Sequence, residues 1–137
     1  MSIKKLEWEE KYSVGVEELD DQHKRMFATI NKLMEIINSG KTEEDLGSII
    51  ESLINYKIFH FATEEKYFKE FNYEGAEEHI QKHQEFNTKL ISLKEKYPTY
   101  TIEFAFDLVN FLEDWLIGHL MITDRKYIEC FHEHGLK

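Results

Sequence analysis

The sparse distribution of helix-breaking residues constrains the fold of this chain more than any other feature. Its 137 residues include only six glycines and one proline, a composition typical of a helical protein. Between the breakers lie four long stretches in which apolar residues recur every three or four positions, the period of an amphipathic helix. The predicted helices span residues 18–38, 42–71, 76–97 and 102–131, and an irregular arm over residues 1–17 should pack over them.

Local signals support the boundaries of these helices. Gly40 is a predicted C-terminal cap, and Thr42, which three acidic residues follow, is a predicted helix start. Pro98 would stop the third helix, and Thr101 is the predicted N-cap of the fourth. Long helices with short connections predict an all-α, up-down-up-down four-helix bundle with an N-terminal arm, which we expect to form one domain over residues 1–137.

Charge and cysteine content narrow the classes of partner. Lys and Arg number 17 against 27 Asp and Glu, so the net charge is −10, which argues against nucleic acid or an anionic membrane as the main partner. No apolar run approaches the roughly 20 residues that span a bilayer, and no signal peptide is evident at the start. Because Cys130 is the only cysteine, no intrachain disulfide can form; we expect a cytoplasmic protein, and its acidic surface favours a monomer.

Seven side chains that can bind metal should converge at one end of the predicted bundle. In an up-down-up-down bundle, the starts of the first and third helices adjoin the ends of the second and fourth. One histidine lies near the start of the first helix, two lie near the start of the third, and a histidine with a carboxylate lies towards the end of each of the other two. The set is His23, His60, Glu64, His79, His83, His119 and Asp124.

Each of these residues alone has an ordinary explanation, but the complete set does not. A single helical histidine or a His–Glu pair is common on solvated helices, and the pair His79 and His83 is a better candidate because histidines four residues apart can chelate one ion. Unpaired polar groups in an apolar core would cost about 1–3 kcal/mol or more each, and metal binding removes that cost. Imidazoles and carboxylates without thiolate fit iron, manganese or zinc. Seven ligands exceed the four of a structural zinc site and suit two metals with bridging carboxylates, a di-iron pattern by ligand count.

The spacing of His119 and Asp124 conflicts with a regular helix. Five residues separate them, which leaves their side chains roughly 140° apart around an α-helix. We therefore predict a wide turn within residues 117–125, a π-bulge of the kind found at functional sites, that aims Asp124 into the core.

Four motifs carry a resemblance to a known family. They are "VGVEELDDQH", which ends at His23, "HFATEE", "HIQKH" and "WLIGHLMITDRKY". In this order and at these separations the chain resembles the hemerythrins, and most closely their bacterial branch, over nearly its whole length and without departure at a ligand position. The resemblance implies a non-haem di-iron centre, bridged by carboxylates and by an oxo or hydroxo group, that binds O2 reversibly.

The resemblance also assigns a role to each ligand. One iron would be saturated by three histidines, and the other, held by two, would keep an open position for O2. An apolar pocket would cover that position and supply no acid. The implied ligands are His79, His83 and His119 for the first iron and His23 and His60 for the second, with Glu64 and Asp124 as bridges; the expected pocket residues are Met26, Phe61, Trp115, Leu116 and Leu120.

Three classes of function remain open. The first is O2 binding for storage, delivery or scavenging, with an electron donor that re-reduces the iron. The second is a di-iron enzyme, a reductase of nitric oxide or peroxide or an oxidase, and the third is an O2- or iron-sensing module. An enzyme needs a proton source, for which Tyr56, Tyr67 and Tyr127 are candidates, although Tyr127 is equally a partner for a metal ligand. We expect His132 and His134 to be solvated tail residues.

Overall fold

In a computed structural model of the chain, the described residues are 6–39, 43–96, 99 and 101–137, with the side chains of 43–46 and of Leu120 excepted. Four long helices form an all-α bundle over this part of the chain, as predicted. α1 and α3 each pack against α2 and α4. The elements are a 3-10 turn at Glu10–Tyr12, α1 (Glu17–Ser39), α2 (Glu43–Glu70), α3 (Ala76–Lys96), α4 (Ile102–Gly118) and a short α5 (Ile128–Glu133).

The helix ends agree closely with the sequence signals. Each of the first three helices begins and ends within about one residue of its predicted bounds. At the fourth, the Thr101 side chain accepts a hydrogen bond from the backbone N–H of Phe104, which confirms the predicted N-cap. The predicted signals at Gly40, Thr42 and Pro98 lie outside the described residues.

The fourth predicted helix is not continuous, because its hydrogen-bond pattern widens after Gly118. Residues His119–Thr123 form a π-helical turn, in which the N–H of Asp124 bonds to the carbonyl of His119, five residues back. A 3-10 turn over Asp124–Tyr127 follows and leads into α5. The single helix predicted over 102–131 is therefore wrong in its second half, and the wide turn predicted from the His119–Asp124 spacing is confirmed.

The described part of the N-terminal arm, from Leu6 onward, packs over the bundle, as predicted. Its side chains Tyr12, Val14 and Val16 are buried, and the Asn31 side chain exchanges two hydrogen bonds with the backbone of Leu6. Among the described residues, no helix combines the length and the apolar content of a bilayer-spanning segment.

One of the two predicted tail histidines is part of the folded structure. Nε2–H of His132 donates to the carbonyl of Gly15 at 2.8 Å, and the ring fills the space that a Cβ at residue 15 would need. Gly15 has φ +70°, which also favours glycine. The prediction of a solvated His132 was therefore wrong, because this contact depends on a segment 117 residues away in sequence. His134 is exposed, as predicted, and its ring stacks on Phe71.

Apolar side chains enclose a polar layer from both sides. Along α1, His23 lies between Leu19, which belongs to a cluster at the end of the bundle, and Met26, which belongs to a larger cluster in its middle. Water is therefore largely excluded from this layer, and its polar groups depend on one another or on a bound ion. The middle cluster includes Met26, Ile30, Phe61, Phe86, Leu112 and Leu116, and the end cluster is Val14, Val16, Leu19, Phe68, Tyr127 and Phe131.

Candidate metal centre

All seven predicted metal ligands lie together in this polar layer. The most exposed of them, His119, has 6 % of its surface accessible to solvent. The helices contribute them at one level: His23 from α1, His60 and Glu64 from α2, His79 and His83 from α3, and His119 and Asp124 from the π-helical turn and the residue that follows it.

The ligand atoms form two groups that share one carboxylate. Within each group, all ligand atoms lie within 4.8 Å of one another. One group has three histidines and the other has two, which is the asymmetry that the resemblance implied. The first group is Glu64, His79, His83 and His119, and the second is His23, His60, Glu64 and Asp124.

Glu64 contacts histidines of both groups through one oxygen. Its Oε1 lies 3.1 Å from Nε2 of His83, 3.7 Å from Nε2 of His79 and 3.5 Å from Nε2 of His60. Its position one turn after His60 on α2 directs it between α1 and α3. Glu64 can therefore serve a cation in either group.

Asp124 also reaches both groups, but with different oxygens. Its Oδ1 lies 2.8 Å from Nε2 of His119 and 3.1 Å from Nε2 of His79, and its Oδ2 lies 3.3 Å from Nε2 of His23. The π-helical turn makes this possible, because it rotates Asp124 into the core while Ile122, two residues earlier, is 64 % exposed. The wide turn thus gives a second carboxylate between the two groups.

Gln22 determines which nitrogen of His60 faces the centre. The Gln22 amide nitrogen donates to the Thr63 hydroxyl, which itself donates to the carbonyl of Phe59. The Gln22 carbonyl oxygen is thereby left to accept, and Nδ1–H of His60 donates to it at 2.6 Å. Nε2 of His60 then carries the free lone pair and points to the centre, as a metal ligand requires.

A carboxylate orients the corresponding histidine of the other group. Nδ1–H of His83 donates to Oε2 of Glu65 at 3.0 Å, and Nε2 faces Glu64. The Glu65 side chain is 38 % exposed, so solvent screens its charge more than it would inside the core. Both observed partners therefore leave the same ring nitrogen free for metal.

The carboxylates and the histidines of the centre shift one another's pKa values. Burial and repulsion by Asp124 raise the pKa of Glu64, but the histidines outweigh them and hold it below its usual range. Burial also raises the pKa of Asp124, but its contacts with histidines outweigh burial and hold that pKa well below normal. Burial lowers the pKa of His60 to about 4. Burial also opposes protonation of His79, but Asp124 and Glu64 outweigh it and raise the pKa to about 9.

Metal binding must therefore compete with a proton. Without a cation at neutral pH, His79 is protonated beside two carboxylates, and this ring must lose its proton to become a ligand. Affinity for metal should accordingly rise with pH until the pH passes about 9, the pKa of His79.

Several donor atoms of the centre have no other partner and are free to bind a cation. All four oxygens of Glu64 and Asp124, and Nε2 of His83, are buried without a hydrogen bond of good geometry. Such groups cost about 1–3 kcal/mol each when unsatisfied, and more when charged. Nitrogen and oxygen donors without sulfur suit iron, and the residues present therefore fit a non-haem iron site.

The three candidate tyrosines are poor proton donors near neutral pH. Burial, with the nearby charges of Asp124 and Glu64, raises the pKa of Tyr127 well above its usual value. Burial also raises the pKa of Tyr56. The hydroxyl of Tyr67 donates to Glu18, and this hydrogen bond raises its pKa to about 12. A general acid works best with a pKa near the operating pH, so none of the three is suited to that role.

Two of the predicted pocket residues stack on histidines of the centre, but on an unexpected part of it. The Phe61 ring stacks on His83 with centroids 3.7 Å apart, and the Trp115 ring stacks on His119 at 4.1 Å. Both histidines belong to the group with three, whereas the resemblance placed the open position at the group with two. Met26, Phe61 and Leu116 are buried, Trp115 is half-buried, and the side chain of Leu120 lies outside the described residues.

Two residues near the centre were missed from the sequence. Lys57 is 2 % exposed and is the only buried Lys or Arg among the residues whose side chains are described. It lies one turn before Phe61 on the inner face of α2, a register that the helical period does reveal. Gln22 precedes His23, but nothing in its local sequence indicates that it contacts His60 on another helix.

Comparisons with known proteins give relatives over most of the chain. A family model described as the hemerythrin HHE cation binding domain matches residues 14–131. A bacteriohemerythrin from Methylococcus capsulatus is 31 % identical over 111 residues, which cover 81 % of this chain and 84 % of that protein. A hemerythrin-like protein from Naegleria gruberi is 29 % identical over 120 residues, 88 % of each chain.

Solved structures agree with these relatives. Wild-type hemerythrin matches with a TM-score of 0.80 and 26 % identity, over 91 % of this chain and 96 % of that one. A leucine-to-alanine variant of hemerythrin matches with a TM-score of 0.81 and 25 % identity, over 95 % and 98 % of the two chains. The family match also includes all the side chains gathered in the polar layer. This chain therefore belongs to the hemerythrin family and carries its non-haem iron-binding domain, with the cluster of histidine, glutamate and aspartate side chains at its core.

Proposed function

We propose that this protein holds two iron ions in its core and binds O2 reversibly at one of them. The observation that carries the proposal is the pair of ligand groups, one with three histidines and one with two, between which both buried carboxylates lie. When bound, the iron pair supplies the electrons with which O2 is held and recovers them when O2 leaves. In the cell, such a protein would store, deliver or scavenge O2, and a separate electron donor would re-reduce oxidised iron.

The chain's own residues would hold the two ions unequally. Three histidines would hold one iron and two would hold the other, which would leave a position for O2 there, and an oxo or hydroxo group from solvent would supplement the two carboxylates. The proposed assignment is His79, His83 and His119 for the first iron, His23 and His60 for the second, and Glu64 and Asp124 for both.

The surroundings of the centre favour binding over turnover. Apolar side chains enclose the polar layer on both sides, which limits the access of water to bound O2. Tyr127 holds its proton because its pKa is raised well above normal. The centre has two carboxylates, whereas ferritin-like oxidative di-iron sites have four. These features support an O2-binding protein over an oxidase or a reductase of nitric oxide or peroxide.

The stoichiometry of iron and O2 tests this proposal. We expect about two iron ions per chain, and about one O2 per iron pair that is released when the gas phase is replaced by argon. Asp124→Asn should lower the iron content, because it removes one of the two shared charges, whereas Asp114→Asn, at an exposed position of α4, should not. Iron analysis and gas-uptake measurements follow both quantities. A wild-type protein with one iron, or one that consumes O2 without releasing it, contradicts the proposal.

Gln22 provides a test of how the ligands are oriented. Gln22→Leu should weaken iron affinity about 10- to 100-fold, because His60 loses the acceptor that fixes its free nitrogen. Gln22→Glu keeps an acceptor and should retain most of the affinity. Competition with a coloured chelator measures the effect, and Gln84→Leu, at an exposed position of α3, is the matched control. Equal affinities in the Gln22→Leu and Gln84→Leu proteins would refute this role.

Leu116 provides a test of the pocket. Leu116→Ala should remove apolar packing over the centre, so that water reaches the bound O2 more easily. Conversion of the oxygenated protein to the oxidised form should then be several-fold faster. Leu33→Ala makes the same leucine-to-alanine truncation at another buried position, about 15 Å along α1 from His23. It should leave the rate of this conversion unchanged. The decay of the oxygenated absorption measures both rates. An unchanged rate in Leu116→Ala would count against the pocket assignment.

A further inference from the structure

The two ligand groups differ in the charge of the side chain that supports one histidine of each. In the group with three histidines, His83 donates to the carboxylate of Glu65. In the group with two, His60 donates to the neutral amide of Gln22. We propose that Glu65, acting through His83, makes the iron of the three-histidine group the harder of the two to reduce. The inference rests on the proposed function, because it orders the two irons assigned there.

The contact between Glu65 and His83 joins the surface of the protein to its core. Oε2 of Glu65 accepts from Nδ1–H of His83 at 3.0 Å, and Nε2 of the same ring faces Glu64 at 3.1 Å. The side chain of His83 is 3 % exposed, whereas that of Glu65 is 38 % exposed. Because the carboxylate stays partly in water, its charge avoids most of the cost of full burial. The buried imidazole ring carries the effect of that charge inward.

The charge of Glu65 is not neutralised by another side chain. Among the described residues, no lysine or arginine lies within salt-bridge distance of this carboxylate, and its ion-pair partner is His83. Solvent screens the outward side of the charge. On the inward side lies the buried ring of His83, where water is scarce and electrostatic interactions are stronger than at the surface.

This charge acts on one ligand group, whereas the shared carboxylates act on both. Glu64 and Asp124 each contact histidines of the two groups. An imidazole that donates to a carboxylate is a more basic metal ligand than one that donates to a neutral amide. Fe(III) carries one more positive charge than Fe(II) and gains more from this added negative charge. The iron held by His83 should therefore stay ferric to a lower potential than the iron held by His60.

This order of potentials has a consequence for O2. Both irons pass from Fe(II) to Fe(III) when O2 binds, each giving one of the two electrons that O2 takes, and both recover them when O2 leaves. The three-histidine iron gives its electron from a site that O2 does not occupy. By favouring the ferric state there, Glu65 strengthens O2 binding without touching O2.

A reductive titration of the iron-loaded, oxidised protein tests the proposal. Dithionite supplies one electron for each iron, and absorption records two steps. Glu65→Gln keeps an acceptor for His83 but removes the charge, and Glu70→Gln makes the same change at an exposed position of α2. In Glu65→Gln, the lower-potential step should favour Fe(II) about tenfold more, a rise of about 59 mV. The higher-potential step should move less, and both potentials of Glu70→Gln should match those of wild type.

Glu65→Ala separates the charge of Glu65 from its part in orienting the ring. This variant loses both the charge and the acceptor, so it should show the shift of Glu65→Gln together with iron binding that is about tenfold weaker. Competition with a coloured chelator measures the affinity. A lower-potential step that moves in Glu65→Ala but not in Glu65→Gln assigns Glu65 to orientation alone and overturns the proposal.

The outcomes separate this inference from the proposed function. In a protein that carries the iron pair, a single reduction step in wild type, or equal potentials in Glu65→Gln and Glu70→Gln, overturns the inference alone. A shift of Glu65→Gln confined to the higher-potential step reverses the order and overturns it too. The expected shifts in a protein that does not release O2 support the inference and contradict the proposed function. Fewer than two irons per wild-type chain contradicts the proposed function and, because no pair is left to order, this inference as well.

Discussion

Two carboxylates, Glu64 and Asp124, lie fully buried among the helices of this protein, and their need for positive charge organises the structure around them. Neither has a hydrogen bond of good geometry, and a buried unpaired charge is among the most costly features a core can contain. Without an ion, a raised pKa at His79 supplies part of the missing charge. A metal pair would supply it more fully, so folding and iron binding are expected to support each other.

The backbone departs from regular geometry where the second carboxylate requires it. On a regular helix, Asp124 would point away from the side that carries His119. The π-helical turn His119–Thr123 corrects this at the expense of regular hydrogen bonds. Side chains of both apolar clusters then close over the polar layer, and the hydrogen bonds of Gln22 and Glu65 hold two of the imidazoles in the tautomer that a metal needs.

The sequence predicts much of this centre, because both the helices and the order in which they run up and down the bundle can be read from it. Apolar periodicity predicts the helices, and the bundle topology predicts that their ligands lie at one level. The five-residue spacing between His119 and Asp124 also predicts the π-helical turn. What the sequence did not reveal depends on how helices rotate against one another. The contact of Gln22 with His60 joins α1 to α2, and the stacking of Phe61 on His83 joins α2 to α3. Lys57 lies on the inner face of α2, but lysine is normally exposed, and only the packing of the helices shows that its side chain is buried.

The account depends most directly on whether oxygenation at this centre is reversible. The measurement is an absorption spectrum of the anaerobically reduced, iron-loaded protein, recorded before air is admitted, after, and again once O2 is removed. We predict a charge-transfer band that appears with air and disappears on deoxygenation, over repeated cycles. Immediate passage to a stable diferric spectrum, with no oxygenated form on the way, would contradict the account.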